Sequence, residues 1–119
     1  MLRFLIPAFL SIVPFVPLPA EARQCGVASF YGGHGDGFAW QTMANGQPMN
    51  PNAMITAHPS LPLGSRIRVT NQANGKSVTL VVADRGPWYG GRILDLSIGA
   101  FQRIASASSG LATVCYTRV

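Results

Sequence analysis

The sequence predicts a small domain of mainly β structure that closes into a barrel. Apolar residues fall in short segments in which they alternate with polar ones, the pattern of strands buried on one face. Turn dipeptides and glycine-rich loops separate these segments, and the 119 residues include 13 glycines. Many short strands at close spacing with such turns are typical of a small closed barrel. A chain of this length has room for one domain.

Five strands can be placed along the chain from local pattern. Two of them form a hairpin, because residues 66–71 alternate polar and apolar side chains and Asn74-Gly75 is a turn signal leading into residues 77–82. The remaining strands are predicted over residues 26–31, 53–57 and 111–119. A glycine-rich loop over residues 32–37 follows the first strand.

One short helix is predicted over residues 97–105. Apolar side chains recur at helical spacing at Ile98, Phe101 and Ile104. Ser97 precedes them and can cap the N-terminus of the helix, since its hydroxyl can accept a hydrogen bond from a backbone N–H of the first turn.

The first 22 residues are predicted to be a signal peptide. Arg3 supplies a positive charge, residues 4–16 are apolar, and Ala20-Glu21-Ala22 has the form of a cleavage site. Prolines interrupt the apolar stretch and weigh against a spanning helix, although a retained membrane anchor is the alternative. We therefore expect an exported protein, periplasmic or extracellular, with its domain over residues 23–119 and no stable membrane insertion after cleavage.

The two cysteines are predicted to form a disulfide. Cys25 lies near the start of the mature chain and Cys115 near its end. In an oxidising compartment such a pair ties the termini of a small domain together. Lipidation of Cys25 is the alternative, but in Ala22-Arg23-Gln24 the two residues directly before Cys25 are not the small residues that lipoprotein processing favours.

The net charge of +5 is spread along the chain. Nucleic-acid-binding arms cluster their basic residues, so the pattern argues against a nucleic-acid partner. Attraction to an anionic polymer outside the cytoplasm fits the charge, and so does a role in solubility alone. The two histidines do not have the spacing of a zinc motif, and we expect no metal.

Asp84 is the candidate for chemistry. It ends an apolar run and enters a turn with Arg85, Trp88 and Tyr89, a setting expected of a site that handles sugars. The alternative is that Asp84 only orders its own turn, since aspartate is favoured in turns.

Six blocks of sequence occur in the order seen in one known family. They lie at residues 26–32 (GVASFYG), 43–46 (MANG), 56–64 (TAHPSLPLG), 68–71 (RVTN), 84–87 (DRGP) and 92–97 (RILDLS). Together they resemble the motifs of RlpA-like (rare lipoprotein A) domains over nearly the whole mature chain. The resemblance implies a six-stranded double-psi β-barrel with one or two short helices, a fold shared with the N-terminal domain of expansins and with barwin-like proteins.

The resemblance also implies an activity. Active members are lytic transglycosylases that act on the glycan strands of bacterial peptidoglycan and form 1,6-anhydro-muramyl ends, without a cofactor. Because the C6 hydroxyl of the sugar is the nucleophile, one carboxyl group can serve first as acid and then as base. Asp84 is the residue expected in this role, and the family match places His58 in the same groove, where it could hydrogen-bond Asp84 or the substrate. We expect the protein to be a monomer.

Substrate contacts are expected from the same region. The candidates are Tyr31, Asn45, Gln47, Arg85 and Trp88, of which Trp88 is expected on an exposed loop. Asp95 is interpreted as a structural anchor that binds backbone N–H groups or Arg92, and a second catalytic carboxylate is the alternative.

One position departs from the family pattern. Active relatives commonly carry Glu where this chain has Gln47, and an amide can hydrogen-bond a sugar but cannot exchange a catalytic proton. A non-catalytic expansin-like module that binds or loosens cell wall is therefore the alternative function. A barwin-like defence or inhibitor protein is a third reading, and the single cysteine pair argues against it.

Overall fold

A computed structural model describes residues 23–119, which form a closed six-stranded barrel. The strands are β1 (Gln24–Tyr31), β2 (Ile55–Ala57), β3 (Arg66–Asn71), β4 (Ser77–Asp84), β5 (Arg92–Ser97) and β6 (Ala112–Arg118). Between β5 and β6 lie a helix α1 (Ile98–Gln102) and a 3-10 turn (Ala107–Ser109). The predicted six-stranded barrel is confirmed. The predicted signal peptide lies outside the described residues.

The strands follow the order β1-β5-β2-β4-β3-β6 around the barrel. The β1–β5 and β2–β4 pairs are parallel, and the other four pairs are antiparallel. Because the barrel is closed, every strand has a paired neighbour on both sides. This protects the sheet from edge-to-edge association.

Strand β5 is the element that local pattern does not identify. Residues 92–97 were not among the five strands placed from local pattern, yet they form a strand between β1 and β2. Its parallel pairing with β1 joins residues far apart in the chain, such as Phe30 with Leu96. No local turn signal announces such a pairing, so only the family resemblance supplied the sixth strand.

The helix is shorter than predicted. Its cap is as expected, because the Ser97 hydroxyl accepts a hydrogen bond from the N–H of Ala100 at 3.1 Å. Helical geometry ends at Gln102, and the chain continues through turn hydrogen bonds from the N–H groups of Ile104 and Ala105 to the carbonyl of Phe101. Phe101 and Ile104 are nonetheless fully buried, as their spacing predicts.

The core fills the barrel and extends under α1. Its largest fully buried apolar side chains are Ile67, Val69, Leu80, Val82, Leu94, Leu96, Phe101, Ile104 and Val114, together with Met49 in a satellite cluster. The predicted disulfide is confirmed, since Cys25 of β1 and Cys115 of β6 are register partners and are bonded. Within residues 23–119, no helix is long and apolar enough to cross a membrane.

Candidate functional site

Two carboxylates lie on either side of the end of β2. Ala57 is the register partner of Asp84 in β4 and also of Asp95 in β5. Since neighbouring strands are about 4.8 Å apart, the two backbones are separated by about 10 Å. A register shift between Thr56 and Ala57 interrupts the β2–β4 ladder at this point. Such irregularities are common next to active sites, where they redirect a side chain.

Three donors hold the Asp84 carboxylate. The Tyr31 hydroxyl donates to Oδ2 at 2.8 Å, while the N–H groups of Ala44 and Arg85 donate to Oδ1, each at 2.9 Å. An ionised carboxylate has roughly four acceptor positions, so Asp84 retains capacity for a further donor. The carboxylate is half-buried and rigidly placed. It therefore does more than order its own turn, because it also joins β1 and the 42–48 loop to the end of β4.

Tyr31 holds Asp84 from below. Its ring is 8% exposed and packs in the satellite cluster with Met43 and Met49. Burial, followed by the neighbouring Asp84 carboxylate, raises the pKa of the Tyr31 phenol well above its ordinary range, so the hydroxyl remains a donor. Tyr31 was expected to contact substrate, but its ring is buried and its hydroxyl contacts Asp84 instead.

Asp95 occupies a different environment. Its Oδ1 accepts a hydrogen bond from the Ser29 hydroxyl at 2.8 Å, and Arg92 reaches the same hydroxyl at 3.4 Å. Burial raises the pKa of the Asp95 carboxyl, and it outweighs the opposing effects of Ser29 and Arg92. The expected bonds to backbone N–H groups or directly to Arg92 are not formed, because β5 places the side chain beside β1.

Asp36 is a third carboxylate that sequence analysis did not select. It accepts hydrogen bonds from the N–H groups of Gly32, Gly33 and Phe38 and so folds the glycine-rich loop back on itself. Its charge contributes to the raised pKa values of Tyr31 and Asp95. The Gly-Asp-Gly sequence is a signal for such a turn, but nothing local shows that the turn lies beside the other two carboxylates.

The negative charges of all three acidic residues in the described part of the chain therefore contribute to the raised pKa of Tyr31. They are nevertheless dispersed, since no three His, Cys, Asp or Glu side chains within residues 23–119 are grouped so as to hold a metal ion.

His58 does not bond Asp84 through its side chain, contrary to expectation. Its Nδ1 accepts from the N–H groups of Ser60 and Leu61 at 3.0 and 2.9 Å, and its Nε2 lies 2.6 Å from the Tyr116 hydroxyl. Because Nδ1 is an acceptor, the neutral ring carries its proton on Nε2 and donates it to Tyr116. Burial, aided by the charge of Arg85, lowers the pKa of the His58 imidazole.

Arg85 fastens the same turn. Its Nη1 donates to the carbonyls of His58 and Leu61 at 3.1 and 2.6 Å. The His58 N–H in turn donates to the Asp84 carbonyl at 3.1 Å. Arg85 and His58 therefore position the 58–61 turn against the end of β4, and this nitrogen of Arg85 is engaged by the chain itself rather than free for substrate.

The loop that carries Gln47 lies against β4. The Asn45 N–H donates to the Ala83 carbonyl at 3.2 Å, and the Asn45 side-chain oxygen accepts from the N–H of Gln47 at 2.9 Å. The Gln47 side chain is exposed and makes no hydrogen bond to any other residue of the described range. Its amide is thus free for a ligand, and the roles of Asn45 and Gln47 in binding remain predictions.

Exposed aromatic side chains lie on two loops that leave this site. Trp88 and Tyr89, 73% and 72% exposed, follow Asp84, so the predicted exposure of Trp88 is confirmed. Phe38 and Trp40, 53% and 61% exposed, lie on the loop that leaves Tyr31 and were not selected from the sequence. The Phe38 ring packs edge-on against Tyr31 at 5.8 Å.

Relatives of known sequence span much of the domain. The chain is 53% identical over 89 residues to RlpA of Nostoc sp., covering 75% of this chain and 24% of that protein. It is 45% identical over 96 residues to the endolytic peptidoglycan transglycosylase RlpA of Rickettsia bellii, covering 81% and 42%. The chain thus spans about a quarter to two fifths of the length of these curated relatives.

Solved structures share the fold. An expansin of Clavibacter michiganensis is 26% identical with a TM-score of 0.61, covering 82% of this chain and 50% of that one. The Streptomyces papain inhibitor is 21% identical with a TM-score of 0.64, covering 82% and 94%, which shows a common fold alone. The model of the lytic transglycolase family, which describes a double-psi β-barrel domain, matches residues 23–116. The chain therefore belongs to the lytic transglycolase family.

Proposed function

We propose that this protein is an exported peptidoglycan lytic transglycosylase that leaves 1,6-anhydro-muramyl ends on the glycan strands it cuts. The observation that carries the proposal is the pair of carboxyl groups, Asp84 and Asp95, on either side of the end of β2 and beside a buried tyrosine. The names of the relatives supply the substrate class, and since they are longer proteins, cutting by this domain alone is part of what we propose.

The environments of the two carboxyl groups suggest different roles. Glycosidic cleavage needs a proton for the departing oxygen and stabilisation of positive charge at C1 of the sugar. The raised pKa of Asp95 favours it as the proton donor, because its carboxyl group holds the proton more tightly than an ordinary aspartate does. Asp84, held by three donors, suits the charged partner that stabilises the cation.

The proton that Asp95 donates is replaced by a proton from the same sugar residue that is cut. Asp95 protonates the departing oxygen as the C1–O4 bond breaks, the C6 oxygen then bonds to C1, and the C6 hydroxyl proton returns to Asp95. The sequence alone favoured Asp84 for both proton transfers. We reassign them to Asp95 because burial raises its pKa and Ser29 fixes its position, and we assign His58 to positioning, since both of its ring nitrogens already have partners.

A wall-binding module without catalysis is the second candidate. It is favoured by Gln47, which stands where active relatives commonly carry Glu. The Gln47 amide is exposed, but an amide cannot exchange a proton. If that missing carboxyl group is the essential acid, the same surface would bind glycan without cutting it.

Digestion of purified sacculi treated with an amidase separates the two functions. We expect wild-type protein to release glycan fragments with 1,6-anhydro-muramyl ends, detected by mass spectrometry, and Asp95→Asn to abolish their release. Gln47→Glu would raise the rate if residue 47 assists the acid, and Gln72→Glu, at an exposed glutamine of the β3–β4 turn, is its matched control. Folded wild-type protein that binds sacculi but releases no product would refute the enzyme in favour of the binding module, whether or not Gln47→Glu cuts.

A further inference from the structure

A groove of about 540 Å³ lies outside the site formed by Asp84 and Asp95, which we call the carboxylate site. Its walls include the backbone of Gly32 and Gly33 and the side chains of His34, Trp40, Asn52, Ile98 and Gln102, and we refer to it as the Trp40 groove. Its volume falls within the roughly 300–1,000 Å³ of sites that bind small molecules. None of the residues used in the mechanism above lines it.

The backbone of Trp40 is strained. The φ of Trp40 is +67°. Among residues 23–119, all other residues with positive φ are glycines. For a bulky side chain this conformation is unfavourable and persists only where the surroundings enforce it. Here the Trp40 N–H donates to the carbonyl of Met49 at 2.6 Å, and the Met49 N–H donates to Gln41 at 2.7 Å.

The strain presents the indole to solvent rather than to the core. The backbone around Trp40 is tied to the buried Met49, while the Trp40 side chain is 61% exposed. A glycine would satisfy the same backbone without strain. An exposed tryptophan at such a position gains little from packing, so a contact with a ligand is the reason we infer for it.

The opposite wall of the groove is fixed. The N–H of Gly99, at the start of α1, donates to the carbonyl of Pro51 at 2.8 Å, and a Cβ on Gly99 would come within 2.9 Å of Asn52. This close approach of two backbones holds Asn52 against the helix that carries Gln102. The groove is therefore built from rigid elements, which suits a preformed site.

The lining of the groove fits a neutral sugar. It has no acidic residue, lysine or arginine, and its polar side chains are His34, Asn52 and Gln102. These three are exposed, and their side chains make no hydrogen bond to any other residue within the described range. Amide groups beside an aromatic face suit a ring with hydroxyl and acetamido groups better than an acidic stem peptide.

We propose that the Trp40 groove is an additional sugar subsite, in which the indole of Trp40 stacks on an N-acetylated sugar ring of the glycan strand. The inference rests on the proposed function for the identity of the strand. The groove is linked to the site of Asp84 and Asp95 through Tyr31, because Gly32 follows Tyr31 directly and Phe38, two residues before Trp40, packs on the Tyr31 ring. The subsite would place a sugar next to the ring that is cut.

The test is titration with the tetrasaccharide of β-1,4-linked N-acetylglucosamine, followed by calorimetry and by NMR of the side-chain amides. We expect Trp40→Gly to weaken binding about tenfold and Trp40→Phe to change it by less than about threefold. We also expect Gln102→Ala to weaken binding. The matched controls are Leu111→Gly, at an exposed apolar residue, and Gln72→Ala.

Thermal stability separates a binding role from a structural one. Because glycine adopts positive φ freely, Trp40→Gly should keep or raise the melting temperature while binding falls. Unchanged affinity in Trp40→Gly, or no binding of the tetrasaccharide by wild-type protein, would overturn the subsite. The proposed function would stand in that case if sacculi are still cut, and it would fail separately if the tetrasaccharide binds but no sacculi are cut.

Discussion

The hydrogen bond between Tyr31 and Asp84 can be removed by one atom's change. In Tyr31→Phe the ring keeps its place in the satellite cluster, and only the hydroxyl that donates to Asp84 at 2.8 Å is lost. Asp84 then retains the two backbone donors, Ala44 and Arg85. The substitution therefore isolates the side-chain bond that positions the carboxylate.

The size of the effect follows from the charge of the acceptor and the burial of the donor. A hydrogen bond to a charged group contributes about 1.5–3 kcal/mol to the free energy of unfolding, more than a neutral one. The phenyl ring leaves no cavity beyond the volume of the hydroxyl, so we expect a loss of about 2 kcal/mol. For a domain of about 100 residues this lowers the melting temperature by roughly 8–16 °C.

The assay is a double-mutant cycle with Asp84→Asn, using thermal unfolding followed by circular dichroism. If the two side chains interact as the structure shows, the double variant should be less destabilised than the sum of the single variants, by about 1–2 kcal/mol. Release of glycan fragments from sacculi, compared at equal folded fraction, should fall by at least about tenfold in Tyr31→Phe. The reason is that a misplaced Asp84 carboxylate stabilises the positive charge at C1 of the sugar poorly.

Additive single variants would refute the reasoning. So would a Tyr31→Phe protein whose free energy of unfolding changes by less than about 0.5 kcal/mol, the range of ordinary surface substitutions. A destabilised Tyr31→Phe with unchanged cutting would keep the structural bond and reject its part in the chemistry.

Three further predictions concern protonation and the disulfide. The folded state holds the Asp95 proton more tightly than the unfolded state, so stability should fall as pH rises above 3.8, the ordinary pKa of an aspartate. Asp95→Asn should therefore flatten the curve of melting temperature against pH. Parallel curves for the two proteins would contradict this. The His58 ring should titrate by NMR below 6.5, with stability lost as pH falls below that value; titration above 6.5 would reject its neutral, bonded state. Replacing Cys25 and Cys115 by Ala releases a loop closed over 90 positions and should cost about 4 kcal/mol in urea unfolding, and a loss below about 1 kcal/mol would count against the chain-entropy explanation.

Patterns that act over a few residues were sufficient for much of the barrel. Alternation and the Asn74-Gly75 turn predicted the hairpin of β3 and β4, and the hydroxyl of Ser97 predicted the helix cap. The boundaries moved where pairing partners extend a strand, as when β4 continues to Asp84 beside Ala57 of β2. Asp84 itself was found from its place at the end of an apolar run.

The arrangement of the candidate site could not be read in this way. Asp95 approaches β1 through a contact between residues 66 positions apart, and the burial that raises its pKa comes from that packing. His58 loses its expected contact with Asp84 because the turn after it supplies two N–H groups to the ring first. The exposed Trp40 depends on a left-handed backbone that no side-chain preference of tryptophan announces.

The sequence by itself determined five of the six strands, the turns, the helix cap and the family of this protein, because hydrophobic period, turn chemistry and motif order are properties of neighbouring residues. The tertiary structure alone decided that burial raises the pKa of Asp95, which ring nitrogens of His58 are occupied, and that Phe38 and Trp40 face solvent. Those properties depend on desolvation and on hydrogen-bond partners brought together by parallel strand pairing, and both exist only once the barrel has closed.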